Sequence, residues 1–297
     1  MKNWKEKGMQ GVFLLAACAS VLAVALICVF LFANGVPAMS EIGFLDFLLG
    51  EEWRPSNNIY GILPMIMGSI YVTAGAVVIG VPIGIFTSVF MAHYCPKKIY
   101  PFLKSATELL AGIPSVVYGF FGLVVIVPLI RTYTAKTGVG GNGQTMLTAS
   151  IILGIMILPT IIGVTESAMR SVPDQYYEGS LALGATKERT VFRIVIPAAK
   201  SGVIAGIVLG IGRAIGETMA VIMVAGNQPR MPQGLLKGVR TMTTNIVMEM
   251  GYAADLHREA LIATAVVLFV FILIINGCVS VLNSFFFKQK TAYEIGM

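Results

Sequence analysis

Six apolar stretches, at 12–33, 69–92, 113–130, 146–167, 201–225 and 259–282, dominate this chain and limit what it can become. A hydrocarbon layer of about 30 Å takes about 20 helical residues, with a range of about 17–25. Each stretch is therefore long enough to cross a bilayer, and together they consume nearly half of the 297 residues. Charged residues make up 12% of the chain, against about 25% in an ordinary soluble domain. A water-soluble globule is excluded, and no length remains for a soluble catalytic domain. The expected fold is all-α, a polytopic membrane protein with six transmembrane helices. Lys2, Lys5 and Lys7 precede the first stretch, whose length exceeds the ~7–15 residues of a signal-peptide core. It reads as an uncleaved anchor.

The formal charge of +6 follows topology and carries no nucleic-acid footprint, because the basic residues sit mostly in short loops between spans. With a cytoplasmic N-terminus, 13 Lys and Arg fall on the inside segments and 7 outside, leaving Arg213 within a span. Both termini are expected on the cytoplasmic side. The chain divides into residues 1–68 (anchor and external loop), a core of five spans at 69–283 containing a long inside loop at 168–200, and a tail at 284–297. The external loop at 34–68 carries Glu41, Asp46, Glu51 and Glu52, then Trp53, Arg54 and Pro55. These last three form a candidate docking surface for an external partner, set against plain interfacial anchoring by Trp53 and Tyr60.

Several chemistries find no support. Cys18, Cys28 and Cys278 lie inside apolar spans and Cys95 in a basic loop, so no disulfide framework is legible. His93 and His257 stand singly at span ends, without the second ligand a metal needs. The glycines at 138–143 fit GxGxxG, but no strand precedes them and a span follows, so a linker is the better reading. There is no GxxxxGK[ST] phosphate loop. If ATP drives this chain, another polypeptide binds it, and no cofactor is implied.

The inside loop 168–200 predicts an elbow of two short helices. Ser171, Pro173 and Asp174 suit a helix start. The helix should run through Tyr176, Tyr177, Glu178 and Leu181 and stop at Gly184, which tolerates the left-handed conformation of a helix end. Thr186 can cap a second helix, and Pro197 should end it. The spacing is Glu178-Gly179-Ser180, three residues, Gly184, nine residues, then Ile194-Val195-Ile196-Pro197. It resembles the EAA loop of ABC-importer permeases, with Gly179 and Ser180 in place of two alanines and Ile196 in place of leucine. The resemblance implies that the first helix, with its exposed Tyr176–Tyr177 pair, docks in a groove of a cytoplasmic ATPase.

The fifth span reads Gly210-Ile-Gly212-Arg213-Ala-Ile-Gly216-Glu217-Thr218. A charged residue at a span centre costs roughly 2.5–3.5 kcal/mol even on lenient insertion scales, so Arg213 and Glu217 need a reason. Four residues apart on one helix, they would share a face opened by the glycines. A structural ion pair, an anion path and a proton relay are all compatible with that pattern.

Trp53-x-Pro55 with Gly61-x-Leu63-Pro64, the run Gly112-Ile-Pro-Ser-Val-Val-Tyr-Gly119, and the Arg213 segment through Thr218 resemble the PstC-type permease subunits of bacterial phosphate importers. The resemblance runs to about residue 283. It implies a type I importer permease (MetI-like) architecture in the bacterial inner membrane, and a phosphate path at Arg213, Glu217 and Thr218. It also implies a PstA-type permease as heterodimer partner, two PstB-type ATPase subunits and a PstS-type phosphate-binding protein. Sulfate or molybdate as cargo, or a stand-alone anion carrier, are the alternatives. Residues 284–297 depart from the family pattern and read as foreign sequence.

Overall fold

The computed structural model describes the backbone of residues 2–136, 138 and 141–295, and the side chains of these except at 2–5, 7 and 279–295. Helix α1 (Lys2–Ile42) leads through α2 (Phe44–Leu49) into a small hairpin. In it β1 (Trp53–Arg54) pairs antiparallel with β2 (Ile59–Tyr60), Trp53 opposite Tyr60. Helix α3 (Leu63–Val89) runs into a π turn at Phe90–Tyr94, and α4 (Tyr100–Gly112) follows. The third span is composite: α5 (Ser115–Phe121), a π turn at Gly122–Ile126, and α6 (Val127–Lys136). Then come α7 (Met146–Arg170), α8 (Asp174–Ala182), α9 (Lys187–Thr190), a π turn at Val191–Val195 and α10 (Ile196–Ala198). The chain closes with α11 (Lys200–Gly216), α12 (Met219–Val224), α13 (Met242–Glu249) and α14 (Asp255–Ile295).

Five unbroken helical stretches are long and apolar enough to cross a membrane: Gly8–Ile42, Leu63–Tyr94, Ser115–Lys136, Met146–Arg170 and Asp255–Cys278. The fifth expected span, 201–225, is present in pieces. It enters at a 71° bend between Lys187–Ala198 and Lys200–Gly216, where Pro197 lacks the N–H and the ring clearance that a straight helix needs. It breaks again after Gly216, and α12 resumes at Met219. Three glycines in seven residues lower the helix propensity ahead of this second break, each by about 1 kcal/mol relative to alanine.

Helix α7 is the central post, packed against α3 and α11, and it is the most deeply buried span. Small residues allow the approach, because between helices in lipid the attraction comes from close packing. A Cβ on Gly80 would lie 2.8 Å from both the Gly154 carbonyl and Ile157, and one on Gly84 would lie 2.7 Å from Ile161. Gly80→Leu should therefore push α3 off α7 and sharply lower the yield of folded protein from detergent-solubilised membranes. A monodisperse Gly80→Leu variant at wild-type yield would contradict this packing.

A second core joins the hairpin to the C-terminal end of α1 and the N-terminal part of α14 through Phe47, Trp53, Tyr60, Met65 and Leu261. A third, of Val89, Met169, Val191, Val195 and Val203, seats α8–α10 on the opposite end of the bundle. The reading of 284–297 as a foreign tail falls on side chains outside the described residues, while the α14 backbone continues to Ile295.

Candidate functional site

The break in the fifth span corrects the expected helical pairing of Arg213 with Glu217. Glu217 has left the helix for an extended conformation (φ −71°, ψ 133°). Its carboxylate turns toward α12 and accepts from the Ala220 N–H at 3.1 Å, while its carbonyl accepts from the Thr243 hydroxyl at 3.0 Å. Thr218 occupies the N-cap position of α12, and its hydroxyl donates to the Gly216 carbonyl at 3.3 Å. Backbone freed by a helix break at membrane depth is tolerated only against protein or a wet cavity. Here protein hydroxyls hold it on one side.

Arg213, in the last turn of α11, is exposed and forms no ion pair with any carboxylate among the described residues. Its chain neighbour Ala214 packs in one buried core with Tyr118 of α5. A Cβ added at Gly212 or Gly216 would meet nothing within 4 Å, so the space flanking Arg213 is open. A guanidinium offers five donors and no acceptor. Exposed and without an ion-paired acid among the described residues, it is available to an anion that matches its fork.

The elbow at the other end follows the sequence closely. Gly184 takes the left-handed conformation (φ +86°). Its N–H donates to the Leu181 carbonyl at 2.9 Å, and that of Ala185 to the Ser180 carbonyl at 3.2 Å, a helix closure of the kind a glycine permits. Thr186 caps α9 by accepting from the Arg189 N–H at 3.3 Å, and the hydroxyls of Ser180 and Thr190 lie 2.9 Å apart, tying α8 to α9. Two expectations are corrected. Ser171 does not cap α8, because its hydroxyl donates back to the Ser167 carbonyl at 2.8 Å and finishes α7. The Tyr176–Tyr177 pair is also split: Tyr176 is 54% exposed, whereas Tyr177 is half-buried and stacks on His93 with ring centroids 5.8 Å apart. Glu178 is exposed and Leu181 half-buried. Leu183, 91% exposed beside Gly184, is the apolar knob that the sequence reading overlooked. An apolar side chain directly before a helix-ending glycine was the available signal.

Trp53 is not on the surface. It is 4% exposed, and its indole N–H donates to Glu249 Oε2 at 2.8 Å. So buried, Trp53 backs the wall of the candidate docking groove and leaves its exposed part to Arg54, which is 3.4 Å from Glu52, with Pro55 half-buried beside it. Glu51, Glu52, Arg54, Gln228, Arg230 and Met231 line a groove of about 700 Å³ between the hairpin and the 226–241 loop. Glu249 itself is a buried hub that also takes Arg240 at 2.5 Å and His257 Nε2 at 2.9 Å. Sequence reading missed it because its partners lie up to 196 residues away. Glu249→Ala should destabilise the hairpin end of the bundle by about 3–5 kcal/mol, since it removes the carboxylate partner of the largely buried Arg240 guanidinium. An unchanged thermal unfolding midpoint in that variant would contradict the hub's role.

Comparison with known proteins gives consistent relatives. Residues 80–288 match the family model for the binding-protein-dependent transport system inner membrane component. The probable ABC transporter permease protein YqgH of Bacillus subtilis is 37% identical over 287 residues, covering 93% of this chain and 92% of that protein. The phosphate transport system permease protein PstC of Mesorhizobium japonicum is 35% identical over 271 residues, covering 85% and 83%. Among solved structures, the inward-facing MetNI methionine ABC transporter superposes with a TM-score of 0.61 at 17% identity, covering 78% of this chain and 98% of the other. A bacterial ABC transporter for the acidic polysaccharide alginate gives 0.58 at 15% identity, covering 94% and 99%. At such identities the structural likeness establishes the importer-permease fold alone.

Proposed function

The chain belongs to the family of binding-protein-dependent transport system inner membrane components, and from that membership we propose that it is the phosphate permease subunit of an ATP-driven importer. The carrying observation is Arg213, exposed beside a broken span and free of any carboxylate partner among the described residues. Phosphate released by an external PstS-type binding protein enters a cleft that this chain shares with a PstA-type permease. There it meets the Arg213 fork, with Glu217 and Thr218 shaping the break. Two PstB-type ATPases hold α8, and their closure and opening move the elbow and alternate access to the cleft. Both termini and the elbow lie on the cytoplasmic side, as the positive-inside count supports. The chain catalyses no reaction of its own, and the Arg54 groove receives the binding protein.

A tagged copy purified from bacterial membranes tests this reading. A second permease and an ATPase should copurify, and inorganic phosphate with its binding protein should stimulate hydrolysis. Transport by the purified chain alone, driven by an ion gradient, would instead establish a secondary carrier. Stimulation by sulfate or molybdate in place of phosphate would reassign the cargo.

A further inference from the structure

We infer that Glu166 is a positioning residue that ties movement of α8 to the α4–α5 segment beside Arg213, an inference that rests on the importer reading above. Glu166 sits in the last turns of α7 and is 2% exposed. Its carboxylate accepts from the Tyr100 hydroxyl at 2.8 Å, from Lys104 Nζ at 2.9 Å and from Arg170 Nε. Tyr100 and Lys104 are four apart on α4 and so reach Glu166 from one helix face. Arg170 in turn donates to the Met91 carbonyl at 2.8 Å and stacks over the Tyr100 ring at 4.2 Å. Only Ser171, Val172 and Pro173 separate Arg170 from α8.

Helix α4 has no buried residue, so no apolar core of its own fixes its place. Its ties are polar: Glu166 at one end, and at the other the Leu110 carbonyl, which accepts from the Tyr118 hydroxyl of α5 at 2.8 Å. Tyr118 shares a buried core with Ala214, the chain neighbour of Arg213. A path thus runs from Arg170, three residues before α8, through Glu166 and Lys104 to α4, and from Leu110 near the end of α4 through Tyr118 to the core beside Arg213. Breaking a contact to a buried carboxylate leaves charge without a partner, so the brace moves as a unit. Its hydrogen bond to Glu166 also holds the Lys104 ammonium above the ordinary lysine range. The bridge needs this lysine protonated and Glu166 ionised, so it is lost as pH rises through the elevated lysine value and also in acid that protonates the carboxylate.

The test uses the full complex in proteoliposomes with inorganic phosphate as probe. Glu166→Gln keeps the side-chain shape and should leave ATP hydrolysis within about twofold of wild type, while phosphate imported per ATP falls at least about tenfold. Lys104→Met, which spares the α7–α8 side, should lower the same ratio, and the double variant should be no worse than either single. A ratio unchanged in both single variants, or import and hydrolysis falling in proportion, would overturn the brace.

A second arm does not depend on the cargo. Spin labels are placed at Gly179→Cys on α8 and Val117→Cys on α5, with Cys18, Cys28, Cys95 and Cys278 replaced. Their separation should stay constant on ATP binding in the otherwise native chain and change in the Glu166→Gln background. A separation that changes equally in both backgrounds would refute the inference. A constant separation in a complex that ignores phosphate would remove the phosphate reading and leave the brace standing.

Discussion

Arg213→Gln should abolish phosphate import while leaving the importer assembled. The arginine offers an oxyanion at least two charge-assisted hydrogen bonds, each contributing about 1.5–3 kcal/mol, so their loss corresponds to a roughly 10²- to 10⁴-fold drop in uptake. Assembly should survive because Arg213 has no ion-pair partner inside the chain among the described residues. Arg213→Lys should be intermediate, since it keeps the charge and discards the planar fork. Glu217→Gln should be milder, because an amide oxygen can still accept from the Ala220 N–H that Glu217 now receives. Uptake of labelled phosphate, read beside the elution volume of the purified complex, checks all three. Wild-type uptake by Arg213→Gln would remove the arginine from the mechanism.

Replacing Gly184 with glutamate should uncouple the ATPase or detach it. The residue sits at φ +86°, and a side chain there costs roughly 1–2 kcal/mol through its clash with the backbone. No neighbouring atom lies within 4 Å of the Cβ position, so the harm comes from the altered turn and from the new charge facing the ATPase groove. Gly184→Ala separates the two causes by imposing the strain without the charge. Leu183→Asp keeps the turn geometry and removes the exposed apolar knob, and it too should weaken ATPase retention. Copurification and phosphate-stimulated hydrolysis at wild-type levels in Gly184→Glu would refute the elbow's role.

What was legible in the sequence is what local chemistry decides. Apolar length located the spans, and Thr186 and Gly184 marked real helix boundaries because a cap and a left-handed turn depend on one residue and its immediate neighbours. The break at Glu217 was not legible, since it is stabilised by Thr243, which approaches from a separate helix 26 residues later. Trp53 was misplaced for the same reason: a tryptophan in the loop between two spans reads as a docking or interfacial residue until Glu249 is known to lie beside it. Glu166 stands near the end of the fourth apolar stretch, and only the fold brings Tyr100 and Lys104 to it from more than 60 residues away. Local signals found the elements and the two-helix elbow. Long-range polar partnerships, which decide how those elements are braced, emerged only from the structure.

The most direct test of the central claim is ATP-dependent accumulation of inorganic phosphate in proteoliposomes carrying the complete complex and an external phosphate-binding protein. The expected result is uptake that requires ATP, ignores sulfate and molybdate as competitors, and disappears with Arg213→Gln while hydrolysis persists. Accumulation driven by an ion gradient in the absence of any ATPase, or uptake undiminished in Arg213→Gln, would contradict the account.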